Sequence, residues 1–509
     1  MEEFIIITNL RTVIDCTHAQ RVTDVLTHEV INTWKPDEAV LIHGGMGIGK
    51  TYWVLHMVCS YYAQRNQKVL MVFPRIPIRQ ETIHERWKYD VGNLDTTSYQ
   101  HIENEFEESR SHNTMIAQLK QYACIVCDEY HYWIQDSIFN KKTEYSYNAI
   151  MHETAGVQKV LLSATPHNVV SYLNHDSINC KEYLFDTTYR TANQIAFFNE
   201  DETIDKLLQD SVENHIKTIV FIQKATEAFE LYKKYQECAQ FVTSATEFNK
   251  YRNLNAELKT QRTKRFDSLI LITTTKMEVG VTLRDVQLKR IIIKVFDPIS
   301  VTQCAGRKRM NDANDKAELF IYSYSGSTLN GKKRALTRNV EEVREYQQDR
   351  YGFIASHGRA EYTAGGILVP TAHTNQFDWI MNKHRHHYAT SLINRIKYMQ
   401  DRSYADGVLY CLRPAVSADI ILNFEEFFLV EKLKSRLNSD GFDLIPDKTD
   451  RKSLIELVNV RRNGKPKKSR KAINQYLQQL PTPFVIDVVD YYDNLGVRHQ
   501  QAWKLRKLG

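Results

Sequence analysis

No stretch of this 509-residue sequence stays apolar over the roughly 18 residues that a bilayer-spanning helix requires, so no transmembrane helix is expected. The start, Met1-Glu2-Glu3-Phe4, lacks the basic-then-apolar layout of a secretory signal. Cysteine is sparse and scattered: eight residues, with Cys124-Ile125-Val126-Cys127 the single CxxC. Without a second CxxC a zinc site is disfavoured. The apolar setting points to buried reduced thiols in a cytoplasmic compartment rather than a disulfide framework. Internal repeats, long low-complexity segments and any nuclease signature are also missing.

What is present is an ordinary globular composition, 42% hydrophobic and 25% charged. The length implies two to four domains. The net charge of +6 is unevenly placed: residues 451–509 hold 13 Lys/Arg against 4 Asp/Glu, and the remainder is slightly acidic. The basic excess at that end could attract a polyanion.

Short apolar strands alternate with helical stretches up to about residue 325. The expected strands are Ala39–His43, Val69–Phe73, Ala123–Cys127 and Val160–Leu162, then Thr218–Ile222, Ala239–Thr243, Leu269–Ile272, Arg290–Val295 and Leu319–Tyr324. Strand–helix alternation makes parallel sheets, so the chain is α/β with two tandem parallel-sheet domains. Their join is expected near Phe185–Gln194, and Tyr324–Gly331 reads as the exit from the second. The division is thus 1–188, 189–325 and a mostly helical region 326–509. Helices are expected there over Val340–Asp349, Leu392–Asp401 and Glu425–Leu437.

Two strings carry chemistry. Gly44-Gly45-Met46-Gly47-Ile48-Gly49-Lys50-Thr51 follows the strand Leu41-Ile42-His43 and opens a helix. Its glycines let backbone N–H groups cradle phosphate oxygens, Lys50 brings a point charge to the β- and γ-phosphates, and the Thr51 hydroxyl can ligate Mg²⁺. Asp128 and Glu129 leave the carboxyl end of an apolar strand, where ligands bind in open α/β sheets. Asp128 is placed to hold Mg²⁺ and Glu129 to orient the attacking water. ATP and Mg²⁺ are therefore the expected cofactors.

Asp128-Glu129-Tyr130-His131 is a DExH box, and over about residues 35–325 the chain resembles a superfamily 2 helicase, which implies two RecA-like domains. Pro74–Gln80 resembles motif Ia and Thr97-Ser98-Tyr99-Gln100 motif Ib. Ser163-Ala164-Thr165-Pro166 resembles motif III, Val220-Phe221-Ile222 motif IV, Thr274–Thr282 motif V and Gln303–Arg309 motif VI. The resemblance implies nucleic-acid contacts from Arg75, Thr97, Gln100, Thr274 and Thr275, and coupling through Ser163 and Thr165. It also implies that Gly280, Gln303, Arg307 and Arg309 face the nucleotide. Met310 stands where the family has a second motif VI arginine, so Arg307 is the expected arginine finger and Arg309 a substitute. Thr282 replaces a motif V aspartate, and no Q motif precedes the loop. The implied activity is ATP-driven movement along a single strand, DNA rather than RNA. The match is looser to helicases of viral and mobile-element replication, including herpesvirus-type origin-binding proteins. That suggests a phage, plasmid or bacterial setting with replication proteins as partners. A site-binding initiator using ATP as a switch, and the motor subunit of a restriction complex, are the alternatives.

Beyond residue 325 the resemblance ends. Arg461–Lys471 carries seven positive charges and no acidic residue. Gly464 and Pro466 disfavour a continuous helix there, so a phosphate-binding loop with Lys465, Lys467 and Lys468 is expected. Trp503–Lys507 could be a second contact or a helix end. His384, His386 and His387 read as a surface helix rather than a metal site.

Overall fold

The computed structural model describes residues 11–45, 47–107, 112–165, 167–243, 246–251, 253–274, 282–357, 364–370, 378–462, 465–492 and 498–508. The chain divides into two compact units. One comprises Met1–Gln194 with Leu208–Ala418, the other Ile195–Leu207 with Asp419–Gly509.

The first unit holds two parallel sheets. The first contains β1 (Arg11–Asp15), β2 (Ala39–His43), β3 (Val69–Phe73), β4 (Leu94–Ser98), β5 (Cys124–Asp128), β6 (Gln158–Ser163) and β7 (Cys180–Leu184), in the order β1-β7-β2-β6-β5-β3-β4. β2, β3, β5 and β6 are buried along their whole length, which is why they read as continuous apolar runs. β1 and β4 are edge strands with mixed exposure, and β7 contains Lys181 and Glu182; none of the three was legible as an apolar run. The register sets His43 beside Ser163 and Asp128 beside Leu162. Three adjacent strands therefore deliver the glycine loop, the Ser163 string and the acidic pair to one sheet edge, the ligand-binding end of such a fold.

Five strands of the second sheet lie in the same unit: β8 (Lys217–Ile222), β9 (Ala239–Val242), β10 (Ile270–Thr273), β11 (Leu288–Lys294) and β12 (Ala317–Tyr322). They run parallel in the order β9-β10-β8-β11-β12. After β11 the helix Pro298–Ala305 begins with Pro298 in its first turn and Asp297 as N-cap, its carboxylate accepting from Ile299 N at 3.3 Å. Gln135, from the first domain, donates to Asp297 Oδ2 at 2.9 Å and Ser300 Oγ at 3.1 Å, tying this helix start to the first sheet.

The chain leaves the last strand of this sheet at Tyr322 and enters a helix at Gly326. Ser325 caps a helix spanning Gly326–Gln348, its Oγ accepting from Thr328 N at 3.3 Å, so the Ser-Gly-Ser-Thr string is a helix start. Of the three histidines expected on a surface helix, His386 and His387 are partly exposed and His384 is not. His384 is fully buried, with Nδ1 2.9 Å from Thr143 Oγ1 and the rings of Tyr147 and Tyr172 around it; burial lowers it to about 3. Among the described residues no three His, Cys, Asp or Glu side chains converge as a metal cage. Both CxxC thiols are buried within β5 and raised by burial, as free thiols. No described helix is long and apolar enough to cross a membrane.

Within the mostly helical region 326–509, the second unit adds a small sheet. The helices Phe424–Arg436, Lys448–Val458 and Arg470–Leu477 accompany β13 (Phe442–Ile445), the short hairpin of β14 (Arg461–Arg462) and β15 (Lys465–Pro466), β16 (Phe484–Tyr492) and β17 (Arg498–Lys507). β13, β17 and β16 form an antiparallel sheet in that order. Leu429, Leu433, Ile445, Leu454, Ile473, Leu477, Phe484, Ile486 and Leu505 make one core of helices and sheet. The sheet was hard to read because β17, Arg-His-Gln-Gln-Ala-Trp-Lys-Leu-Arg-Lys, buries little beyond Ala502 and Leu505. Trp503–Lys507 is thus strand, not helix end.

Candidate active site

The glycine loop connects β2 to a helix starting at Lys50. Gly47 (φ 94°) and Gly49 (φ 86°) occupy the left-handed region that glycine tolerates best. Gly44 is required for another reason: a Cβ there would meet Ile48 Cδ1 at 2.1 Å and Phe185 Cβ at 2.9 Å. Lys50 Nζ donates to the carbonyls of Gly44 (2.9 Å) and Gly45 (3.2 Å), which curls the loop around its own cation. Thr51 follows in the first turn, partly buried. Met46 lies outside the described residues.

Asp128 ends β5, and Glu129 then turns the chain in the left-handed region (φ 47°), a position of backbone strain for a side chain of this size. His131 Nδ1 lies 3.3 Å from Glu129 Oε2 and 3.0 Å from Ser163 Oγ. From the second domain, Gln303 places Nε2 2.7 Å from His131 Nε2 and 3.1 Å from Thr165 Oγ1. Arg307, one turn on, is buried and donates from Nε to the Gln303 carbonyl at 3.0 Å. The acidic box, the Ser163–Thr165 string and the Gln303–Arg307 segment thus form one buried cluster.

The sequence model of the family described as "Type III restriction enzyme, res subunit" matches residues 17–168, the stretch from before the glycine loop to the Ser163 string. The matched stretch contains both the glycine loop and the acidic box. No curated relative of the chain is found. Among solved structures, the DEAD-box helicase Mss116 bound to ssRNA is similar at 15% identity, with 62% of this chain and 69% of that chain covered and a TM-score of 0.44. The DUF1998 helicase MrfA bound to DNA and AMPPNP is also 15% identical, covering 57% of this chain and 46% of that one at a TM-score of 0.42. Dbp5 of S. cerevisiae bound to RNA and ADP BeF3 is 13% identical, with 59% and 83% covered and a TM-score of 0.43.

The charges around the glycine loop and the acidic pair lie close enough to shift one another. Burial and the neighbouring Glu129 raise Asp128 to about 7, with Lys50 pulling the other way. Burial would also raise Glu129, but hydrogen bonding and charge from His131, with Lys50 and Arg307, hold it down to about 2. Lys50 is lowered by burial, against the two carboxylates. Burial and Arg307 push Arg309 down to about 10, Glu129 opposing. Mg²⁺ is commonly held by one or two carboxylates together with substrate phosphates. Asp128 with Thr51 suits that role.

Expected nucleic-acid contacts fare unevenly. Arg75 pairs with Asp136 Oδ2 at 2.6 Å and donates to its neighbour Pro74 O at 2.9 Å; Gln100 donates to the same carbonyl at 2.9 Å. Thr97 sits near the end of β4. Thr274 is buried, Oγ1 3.5 Å from Thr243 Oγ1. Thr275 and Gly280 lie outside the described residues. Lys465 is in β15 of the second unit, with Lys467 and Lys468 exposed after it.

Sequence reasoning missed several buried groups. His131 was visible only as the last letter of the box. His43, the last residue before the loop, bonds through Nδ1 to Glu182 and through Nε2 to the Tyr130 hydroxyl, and Glu182 is paired in turn with Arg11. A histidine and a glutamate within otherwise apolar strands were the available signal. Asp136, held by Arg75, had none.

Proposed function

We propose that this chain is an ATP-driven DNA translocase or helicase in which residues 1–188 and 189–325 act as two jaws around the nucleotide. The observation that supports it most is the meeting of Gln303 and Arg307 with Glu129 and His131. A second-domain element that reaches the hydrolytic box is what nucleotide-dependent jaw closure needs. In this reading the Gly44–Thr51 backbone and Lys50 cradle the phosphates. Thr51 and Asp128 would hold Mg²⁺, which supplies charge neutralisation on the β- and γ-phosphates when bound. Glu129 orients the attacking water. Arg307 stabilises charge on the transferring phosphoryl group, and Arg309 and Gly280 are assigned to nucleotide binding. Ser163 and Thr165 carry the change to the strand grip at Arg75, Thr97, Gln100, Thr274 and Thr275. Residues 326–509 add phosphate contacts through Lys465, Lys467 and Lys468.

The absent Q motif supports DNA over RNA, and a phage, plasmid or bacterial replication setting follows from the sequence likeness. The test measures ATP hydrolysis with single-stranded DNA, duplex DNA and RNA as competing stimulators. Single-stranded DNA is expected to stimulate most, and stimulation by RNA alone would overturn the substrate reading. The family match over 17–168 favours one second reading, the motor subunit of a restriction complex. That reading requires a partner nuclease, and ATP-dependent strand displacement by the isolated chain on a tailed duplex would count against it.

A further inference from the structure

The second unit has its own chemistry. From Phe424 onward its elements run helix, strand, helix, helix, strand, strand, once the short β14–β15 hairpin between the second and third helices is set aside. The first strand pairs with the last, giving the sheet order β13-β17-β16. This is the arrangement of a winged helix, in which the third helix presents one face to the core and the other outward. The Arg470–Leu477 helix does so: Ile473 and Leu477 are buried, while Arg470, Lys471 and Gln475 are exposed, as is Gln478 at its C-cap. Lys471, Gln475 and Gln478 follow an i, i+4, i+7 spacing and share that outer face. Asn474 clamps the helix to β16, donating to Ile486 O at 2.9 Å and accepting from Ile486 N at 2.8 Å.

The charge on this helix is not explained by folding. Ser469 caps it, accepting from Ala472 N at 3.3 Å, so Arg470 and Lys471 occupy the first turn with Lys467 and Lys468 just ahead. Cations at a helix N-terminus oppose the helix dipole and are unfavourable there. Three arginines elsewhere in the unit have aspartate partners: Arg436 with Asp443, Arg498 with Asp490 and Arg506 with Asp487, at 2.7–2.9 Å. No acidic side chain among the described residues forms an ion pair with Lys467, Lys468, Arg470 or Lys471. Four uncompensated cations at one helix start, followed by outward-facing amides, match phosphate anchoring beside base-edge reading.

We infer that residues 424–507 form a winged-helix module that binds duplex DNA without ATP, with the Arg470–Leu477 helix in the major groove. Lys467, Lys468, Arg470 and Lys471 contact phosphates, and Gln475 and Gln478 face base edges. B-form DNA admits an α-helix in its major groove, whereas the deep, narrow groove of A-form RNA does not, so duplex DNA is the partner.

The test uses the full chain without nucleotide and a fluorescein-labelled 24-bp duplex pool of random sequence, read by anisotropy over a salt series. Lys50→Ala is expected to bind the duplex as the parent does. The combined Lys467→Ala, Lys468→Ala, Arg470→Ala and Lys471→Ala variant is expected to bind about 100-fold more weakly. Its slope of log affinity against log salt should be shallower by about 3–4, at roughly 0.9 for each phosphate no longer neutralised. An unchanged melting temperature shows that the variant folds. Should it melt early, Lys471→Ala alone is expected to lower the slope by about 1, and Gln475→Ala to change the sequences selected from the pool while leaving its average affinity alone. Binding by the folded quadruple variant within twofold of the parent, unchanged slope and selected sequences in the two single variants, loss of duplex binding in Lys50→Ala, or equal competition by single-stranded DNA or duplex RNA would each overturn the inference.

Discussion

Nε2 of Gln303 lies 2.7 Å from Nε2 of His131. The amide nitrogen can only donate, so His131 accepts there and carries its proton on Nδ1, facing Ser163 Oγ and Glu129 Oε2. Gln303 also donates to Thr165. One side chain of the second domain thus sets the tautomer of the box histidine and holds the Ser163–Thr165 string. Gln303→Ala leaves His131 Nε2 and Thr165 without their donor, a loss of about 1–3 kcal/mol of buried hydrogen bonding. Nucleic-acid-stimulated kcat for ATP hydrolysis is expected to fall about tenfold or more, with KM for ATP changed little. A rise in KM at constant kcat would place Gln303 in nucleotide binding instead.

Lys50→Ala and Glu129→Gln are expected to abolish hydrolysis, by about 10²-fold or more, because one removes the loop's own cation from the phosphates and the other the carboxylate that orients water. Steady-state phosphate release checks this, and normal turnover in either variant would sink the assignment.

Arg307→Ala is expected to lower kcat by about 10³-fold while ATP affinity changes far less, as for a group that meets charge only in the transition state. Equilibrium binding of a fluorescent nucleotide beside turnover separates the two. Equal losses would argue against a finger role.

Asp128 is raised to about 7, so it gains its proton as the pH falls through neutrality, and Mg²⁺ ligation requires the carboxylate. Glu129, held near 2, stays ionised throughout. The Mg²⁺ concentration for half-maximal hydrolysis is therefore expected to rise about tenfold per pH unit below 7, and to level off above 8. Mg²⁺ titrations at pH 6, 7 and 8 measure it; a flat profile would contradict the buried pair.

Gly49→Ala places a Cβ at φ 86° with nothing within 4 Å, so its penalty is backbone strain alone, about 1–2 kcal/mol. Gly44→Ala adds the clash with Ile48 and Phe185. The expected order of melting temperature is parent, Gly49→Ala, then Gly44→Ala, with differences of a few degrees each.

The buried central strands were legible to within about two residues at most boundaries because full burial demands a continuous apolar run, as in Val69–Phe73. Edge strands such as Arg11–Asp15 were not, since half-exposed residues carry no such demand. Within Tyr324–Gly331 the helix start was not legible because serine and glycine serve turns and helix starts alike, and the Ser325 cap decides between them. The second-unit sheet escaped for want of apolar residues in β17.

The sequence by itself determined the glycine loop, the acidic pair and the order of the helicase strings, because each is a local arrangement of backbone and side chain set by neighbours in the chain. Only the tertiary structure decided that Gln303 meets His131, that Arg75 is held by Asp136, and that the cations at 467–471 head a helix with one face free. Those are relations between residues up to 172 positions apart, and packing, not sequence proximity, chooses the partner.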